Sequence, residues 1–355
     1  MKKIFLLLAV ALFALPSLGR DFEYDGLTYT VLDEDAHTCE TKTGVYWAAG
    51  NEVEGDLVIP YTVYDGDIEY SVIEIGEYAF SACSNLTSVE IPSSVTEIGE
   101  GAFFLCSSLA SVEIPSSVTE IGYRAFSSCS SLTSVEIPSS VTEIGEYAFS
   151  ACSSLAYVKI PSSVTEIGSY TFRDCYALTS VEIPSSVTVI GRAVFDGCSS
   201  LTSVEIPSSV TEIGYRAFSS CSSLTSVEIP SSVTEIGEYA FSNCRSMTSI
   251  YYGAETLIDA SADVFDPDTY ANAILYVRES ALSQAETVSP WCFFANREAY
   301  DFEVGVKGVS ADAEAEAAVE VYTLDGVKVG ASTDELPTGV YIVRQGKEVR
   351  KIAVK

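Results

Sequence analysis

Histidine is almost missing from this chain: His37 is the only one in 355 residues, beside two methionines and two tryptophans. A single imidazole cannot build an HExxH zinc site or any paired-histidine metal centre. His37 also sits in the polar run from Asp33 to Thr38, where an exposed loop residue is a simpler reading than a general base. No GxSxG elbow, phosphate loop or dinucleotide fingerprint is present. Basic residues are scarce as well, 19 against 50 acidic ones, for a net charge of −31. Such a chain repels phosphate backbones and anionic lipid, which argues against nucleic-acid and membrane-surface partners. After Leu15 no apolar run is long enough to span a bilayer.

The apolar run that does exist is an address. Met1-Lys2-Lys3 is a short positive region, Ile4 to Leu15 is nearly all apolar, and Pro16 is followed by the small residues of Ser17-Leu18-Gly19. This pattern predicts a cleaved signal peptide over 1–19 and a mature chain that starts near Arg20 outside the cytoplasm. High, regularly spaced apolar content predicts a folded protein.

From Val72 to about Ile250 one period dominates. Cys83, Cys106, Cys129, Cys152, Cys175, Cys198, Cys221 and Cys244 are each 23 residues apart, and Phe80 to Phe241 keep the same step. Pro-Ser-Ser-Val-Thr recurs seven times, from Pro92 to Pro230. A fixed period of this length predicts a repeat solenoid, with 71–250 forming eight units. In one unit, Leu86, Val89 and Ile91 follow the L-x-x-L-x-L spacing of a leucine-rich repeat, with Val89 and Ile91 pointing in and Ser88 and Glu90 out. Pro92 ends the strand. Val95 and Ile98 return to the core, and Gly99 marks a positive φ or a close backbone approach. Ala102, Phe103 and Cys106 then form a tight turn or short helical segment on the opposite edge. Strand spacing of about 4.8 Å makes the eight units a rod or arc of roughly 38 Å. Segments 20–70 and 251–302 depart from the period and are expected to cap the two ends.

The unit resembles the BspA-like leucine-rich repeats of bacterial surface proteins, Bacteroidetes above all, on the I-P-S-S-V-T-x-I-G-x-x-A-F-x-x-C core of Ile114 to Cys129. Tyr24-Asp25-Gly26-Leu27-Thr28-Tyr29 with Leu57 to Pro60 looks like the lead-in of that family. Leu275-Tyr276-Val277 with Trp291 looks like its end piece. The resemblance implies a non-enzymatic adhesin, secreted or held at the outer-membrane cell surface, that binds host-matrix or neighbouring-cell proteins. A surface receptor for glycan or another nutrient and a passive envelope spacer are the alternatives.

The period is lost after Phe302. An acidic, Ala-rich stretch makes 303–318 a linker, and 319–355 reads as a small β module. Val319 to Leu324 alternates, Asp325-Gly326 is a hairpin turn, and Pro337 to Val343 and Val349 to Lys355 follow as strands. The module resembles a type IX secretion sorting domain, which implies that secretion machinery as a partner.

No catalytic residue, cofactor or metal ion is expected. The cysteine column reads as buried thiols filling the core or as disulfides between neighbouring turns. Cys39 and Cys292, in opposite caps, are not expected to pair. Two glutamate columns line the surface. One is Glu90, Glu113, Glu136, Glu182, Glu205 and Glu228, broken by Lys159; the other runs from Glu74 to Glu235, broken by Val189. Each could be a solvated ladder, a partner site or a calcium site. The two positions after the turn glycine vary between copies and recur as Tyr or Arg: Tyr78, Tyr123, Arg124, Tyr147, Tyr170, Tyr215, Arg216 and Tyr239. They are candidate protein contacts or neutral surface variation.

Overall fold

The computed structural model describes residues 19–42 and 53–302, with the strands Val306–Lys307, Val319–Thr323, Lys328–Gly330, Gly339–Gln345 and Glu348–Val354. The leader expected over 1–19 lies outside the described residues except for Gly19. So does the linker expected over 303–318, Val306 and Lys307 excepted.

Each 23-residue unit makes one coil with three sides. The first side holds the Ser-Val-Glu strand, stacked parallel on its neighbours: Leu86–Glu90 pairs with Ser111–Glu113, and Tyr157–Lys159 lies between Ser134–Glu136 and Ser180–Glu182. At the C-terminal end Ser226–Ile229, Ser249–Tyr252, Ile274–Val277 and Asn296–Asp301 continue in the same sense. The second side, where only a return of apolar residues is legible in the sequence, is also strand-paired. It runs from Thr38–Thr41 and Ile68–Ile75 through Glu97–Ile98 and Glu120–Ile121 to Glu143–Ile144. It resumes from Glu166–Ile167 to Glu235–Ile236. Pro92 and Val95 close the corner between these sides, the Val95 amide donating to the Pro92 carbonyl at 3.0 Å. The second serine of the motif ties coils together, as when Ser140 Oγ donates to the Val118 carbonyl at 2.6 Å.

The third side is a turn ribbon, with no helix in it. The amides of Tyr78, Phe80 and Ala82 donate to the carbonyls of Glu100, Ala102 and Phe104 in the next coil. Those of Ala79, Ser81 and Cys83 donate three residues back within their own coil. Alternate amides are thus committed between coils, so the i→i−4 bonds of an α-helix cannot form. Left-handed residues every fourth position, such as Tyr78 (φ 52°) and Ala82 (φ 60°), break the helical path again. Gly99 is a close approach and not a positive-φ site: a Cβ there would lie 2.8 Å from the Ile75 carbonyl oxygen.

The core follows the alternation. Leu86, Val89, Ile91, Val95, Ile98, Ala102, Phe103 and Cys106 are all buried. Phe80 to Phe241 stack with ring centroids 5.2–5.7 Å apart, and Phe265 extends the column by a ninth ring. Each fully buried ring contributes about 1.5–3 kcal/mol. The cysteines are free thiols. Those from Cys106 to Cys244 donate to the phenylalanine carbonyl of the preceding coil at 3.0–3.3 Å. Burial pushes the Cys152 and Cys244 thiols up to about 12.

In the C-terminal segment four strands form an antiparallel sheet, in the order Lys328–Gly330, Val319–Thr323, Gly339–Gln345, Glu348–Val354. The hairpin residues Asp325 and Gly326 lie outside the described residues. Among the described residues no helix is long and apolar enough to cross a membrane.

Candidate functional site

Side chains that the core does not use emerge on all three sides. On the first, Glu90, Glu113, Glu136, Glu182, Glu205 and Glu228 are exposed, and register puts Glu90 against Glu113. Lys159 interrupts this column with its Nζ 3.2 Å from Glu182, while the Tyr157 hydroxyl donates to the same carboxylate at 2.7 Å. Those contacts, Tyr157 first, hold the Glu182 carboxyl below the usual range. In water, like charges at coil spacing repel by only about 1 kcal/mol, so a solvated ladder needs no ion. Among the described residues no group of His, Cys, Asp and Glu is arranged to hold a metal ion.

The second column is less solvated at its start. Glu40, Glu74 and Glu97 stand in direct register. Burial first, then the charges of Glu40, Glu97 and Glu120, push the Glu74 carboxyl up to about 7.

The third side gathers the tyrosines and arginines. The second residue after each turn glycine is left-handed in every coil: Tyr78, Gly101, Arg124, Tyr147, Tyr170, Ala193, Arg216 and Tyr239, with φ between 51° and 62°. A residue held in that region costs roughly 1–2 kcal/mol unless it is glycine, and the inter-coil amide bonds offset this. Neighbouring side chains then meet along the edge. Arg124 lies 5.0 Å from the ring centre of Tyr123 and 5.1 Å from that of Tyr147. Tyr147 stacks on Tyr170 with centroids 4.4 Å apart. Arg216 sits 5.3 Å from Tyr215 and 5.5 Å from Tyr239.

The two groups are joined by Arg192, absent from the expected set, which lies 5.8 Å from Tyr170 and 4.5 Å from Tyr215. The signal for it was its place in the same variable pair, one residue before the left-handed position. Tyr78 stays apart: it covers Gly101, where a Cβ would strike its ring, and its hydroxyl donates to the Glu100 carboxylate. From Tyr123 to Tyr239 the ribbon is continuous. Its stacked Tyr147 and Tyr170 cover each other's faces, so what they offer a partner is ring edges and hydroxyls. Each arginine–tyrosine contact is worth about 0.5–1 kcal/mol at such exposure, which orders the arginines before any partner arrives. His37, by contrast, is an exposed residue with φ 54°.

The chain is similar to solved leucine-rich repeat structures. A leucine-rich repeat protein from Bacteroides ovatus is 27% identical over 74% of this chain and 87% of its own, with a TM-score of 0.52. The T. pallidum leucine-rich repeat protein is 30% identical over 64% of this chain and 91% of its own, with a TM-score of 0.49. A leucine-rich cell surface protein from Faecalibacterium prausnitzii is 26% identical over 79% and 95%, with a TM-score of 0.48. No curated protein matches the chain. The model of the BspA type leucine-rich repeat region matches residues 65–178 and 165–267, more than half of the sequence and most of the stacked coils. On that match, with its three-sided parallel coils, the chain belongs to the BspA-type leucine-rich repeat family.

Proposed function

We propose that this is an exported cell-surface adhesin, without catalytic activity, whose repeat surface binds a protein of the host matrix or of a neighbouring cell. The observation that carries the reading is the tyrosine–arginine ribbon from Tyr123 to Tyr239. It is a pre-ordered row of the residue types that dominate binding hot spots, and it concentrates Arg124, Arg192 and Arg216 on one edge of a strongly acidic chain. Membership in a repeat family whose scaffold presents a long surface supports binding over chemistry. The leader pattern of Met1 to Gly19 supports export. The tail from Val319 to Lys355, with its basic end, supports passage through type IX secretion machinery.

The test is a pull-down of the full mature chain against extracellular matrix proteins and intact neighbouring cells, with protease shaving of producing cells to locate it. Saturable capture of a protein and loss of the chain on shaving are expected. Capture of none, or full protection from protease, would refute the reading.

A further inference from the structure

The repeats also record where this chain departs from its own pattern, and the departures converge on one groove of the third side. The residue after each phenylalanine from Phe80 to Phe241 is a buried serine in five coils: Ser81, Ser127, Ser150, Ser219 and Ser242. Phe104 aside, the exceptions are Arg173 and Asp196, in adjoining coils. The first of these coils also replaces the usual small residues with Asp174 and Tyr176. Together these four line a groove of about 400 Å³ that Arg216 and Asn243 close on the far side.

The substitution does not stabilise the coil by itself. Arg173 Nε lies 3.5 Å from Asp174 Oδ2 and 3.6 Å from Asp196 Oδ2, beyond good hydrogen-bond range, and this buried N–H has no acceptor. A half-buried, loosely made ion pair is no better for stability than the serines of the sister coils. Its geometry is that of groups held for something that enters the groove.

We propose that this groove binds a neutral saccharide. Two guanidinium groups, Arg173 and Arg216, balance two carboxylates, Asp174 and Asp196, so neither an anion nor a cation is favoured. What remains is a dense set of donors and acceptors suited to a polyhydroxylated ligand, with Asn243 and several serine hydroxyls among them. Tyr176, 52% exposed at the rim, gives a ring face for the apolar side of a sugar. The volume fits about one or two sugar rings. This inference goes beyond the protein-binding reading and stands without it.

The experiment is a glycan array probed with the full chain, followed by titration calorimetry with the soluble oligosaccharide that binds best. The comparison variant carries Arg173→Ser, Asp174→Ser, Tyr176→Ser and Asp196→Ser. Each change restores the residue of a sister coil, here Ser127, Ser128, Ser107 and Ser219. Serine already occupies the left-handed position in the sister coil, at Ser128 (φ 64°), so the fold tolerates the set. Saturable binding of a neutral glycan is expected, weakened at least about tenfold in the variant while its melting temperature holds. Retention of no neutral glycan, a preference for sulfated or acidic ones, or equal affinity in the variant would overturn the proposal. Capture of a protein partner that survives the four reversions is a separate result, and it would leave the ribbon as that partner's site.

Discussion

Replacing Glu74 by glutamine isolates the electrostatic cost of stacking acidic coils. Glu74 lies in register between Glu40 and Glu97, and its carboxyl is pushed up to about 7 from an ordinary 4.5. Between those two values the folded state holds a proton that the unfolded state has lost, so stability falls as pH rises through the window. A shift of that size corresponds to about 3 kcal/mol, and partial exposure with salt screening reduces it to roughly 1–2 kcal/mol. Glutamine keeps the shape and removes the charge. Urea unfolding of both proteins across pH 4 to 8 should show the Glu74→Gln variant more stable by about 1–2 kcal/mol at pH 8. The advantage should vanish by pH 4, where the wild-type carboxyl is itself protonated. Acidic groups outside the Glu40, Glu74, Glu97 and Glu120 column contribute nearly equally to both proteins and cancel in the difference, while relief of those column neighbours is part of the expected gain. A variant no more stable at pH 8, or one whose advantage persists unchanged at pH 4, would refute this account of the column.

Other consequences follow from the coil. Phe149→Ala empties the middle of the stacked ring column, where Phe149 is fully buried between Phe126 and Phe172, and should cost about 3–5 kcal/mol by urea unfolding. Gly122→Ala places a Cβ 2.8 Å from the Gly99 carbonyl carbon; two backbones must separate, and a loss of about 1–3 kcal/mol is expected in the same assay. Alkylation with iodoacetamide at pH 8, read by mass spectrometry, should label half-exposed Cys292 in the native chain and reach the buried Cys39 and Cys83 to Cys244 after denaturation.

The sequence carried the coil where one residue type was demanded by one geometry. Val89 and Ile91 face inward because strand alternation leaves them nowhere else, Pro92 closes a corner, and Gly99 is required by backbone-to-backbone contact. The turn side was harder to read. An Ala-Phe-x-x-Cys spacing fits a helical turn as well as a ribbon, and the inter-coil amide bonds that decide between them leave no side-chain signature. Phe265 falls 24 residues after Phe241, so a strict period stops one ring short of the real column. At the candidate sites, the varying Tyr and Arg positions were visible, and the coil brings all of them but Tyr78 into one ribbon. Arg192 lay in the same varying pair but was not named among the candidate contacts, and the Arg173–Asp196 groove was not singled out, because a reading that follows agreement between copies treats such departures as drift. Only stacking shows that those departures touch.

The most direct measurement is the affinity of a captured protein partner for two variants, one with Arg124, Arg192 and Arg216 changed to serine and one with Glu113, Glu136 and Glu205 changed to glutamine. If the ribbon is the binding edge, the arginine variant loses at least about tenfold in affinity while the glutamine variant binds as wild type does. Equal binding by the arginine variant, or loss confined to the glutamine variant, would contradict the account and move the site to the strand face.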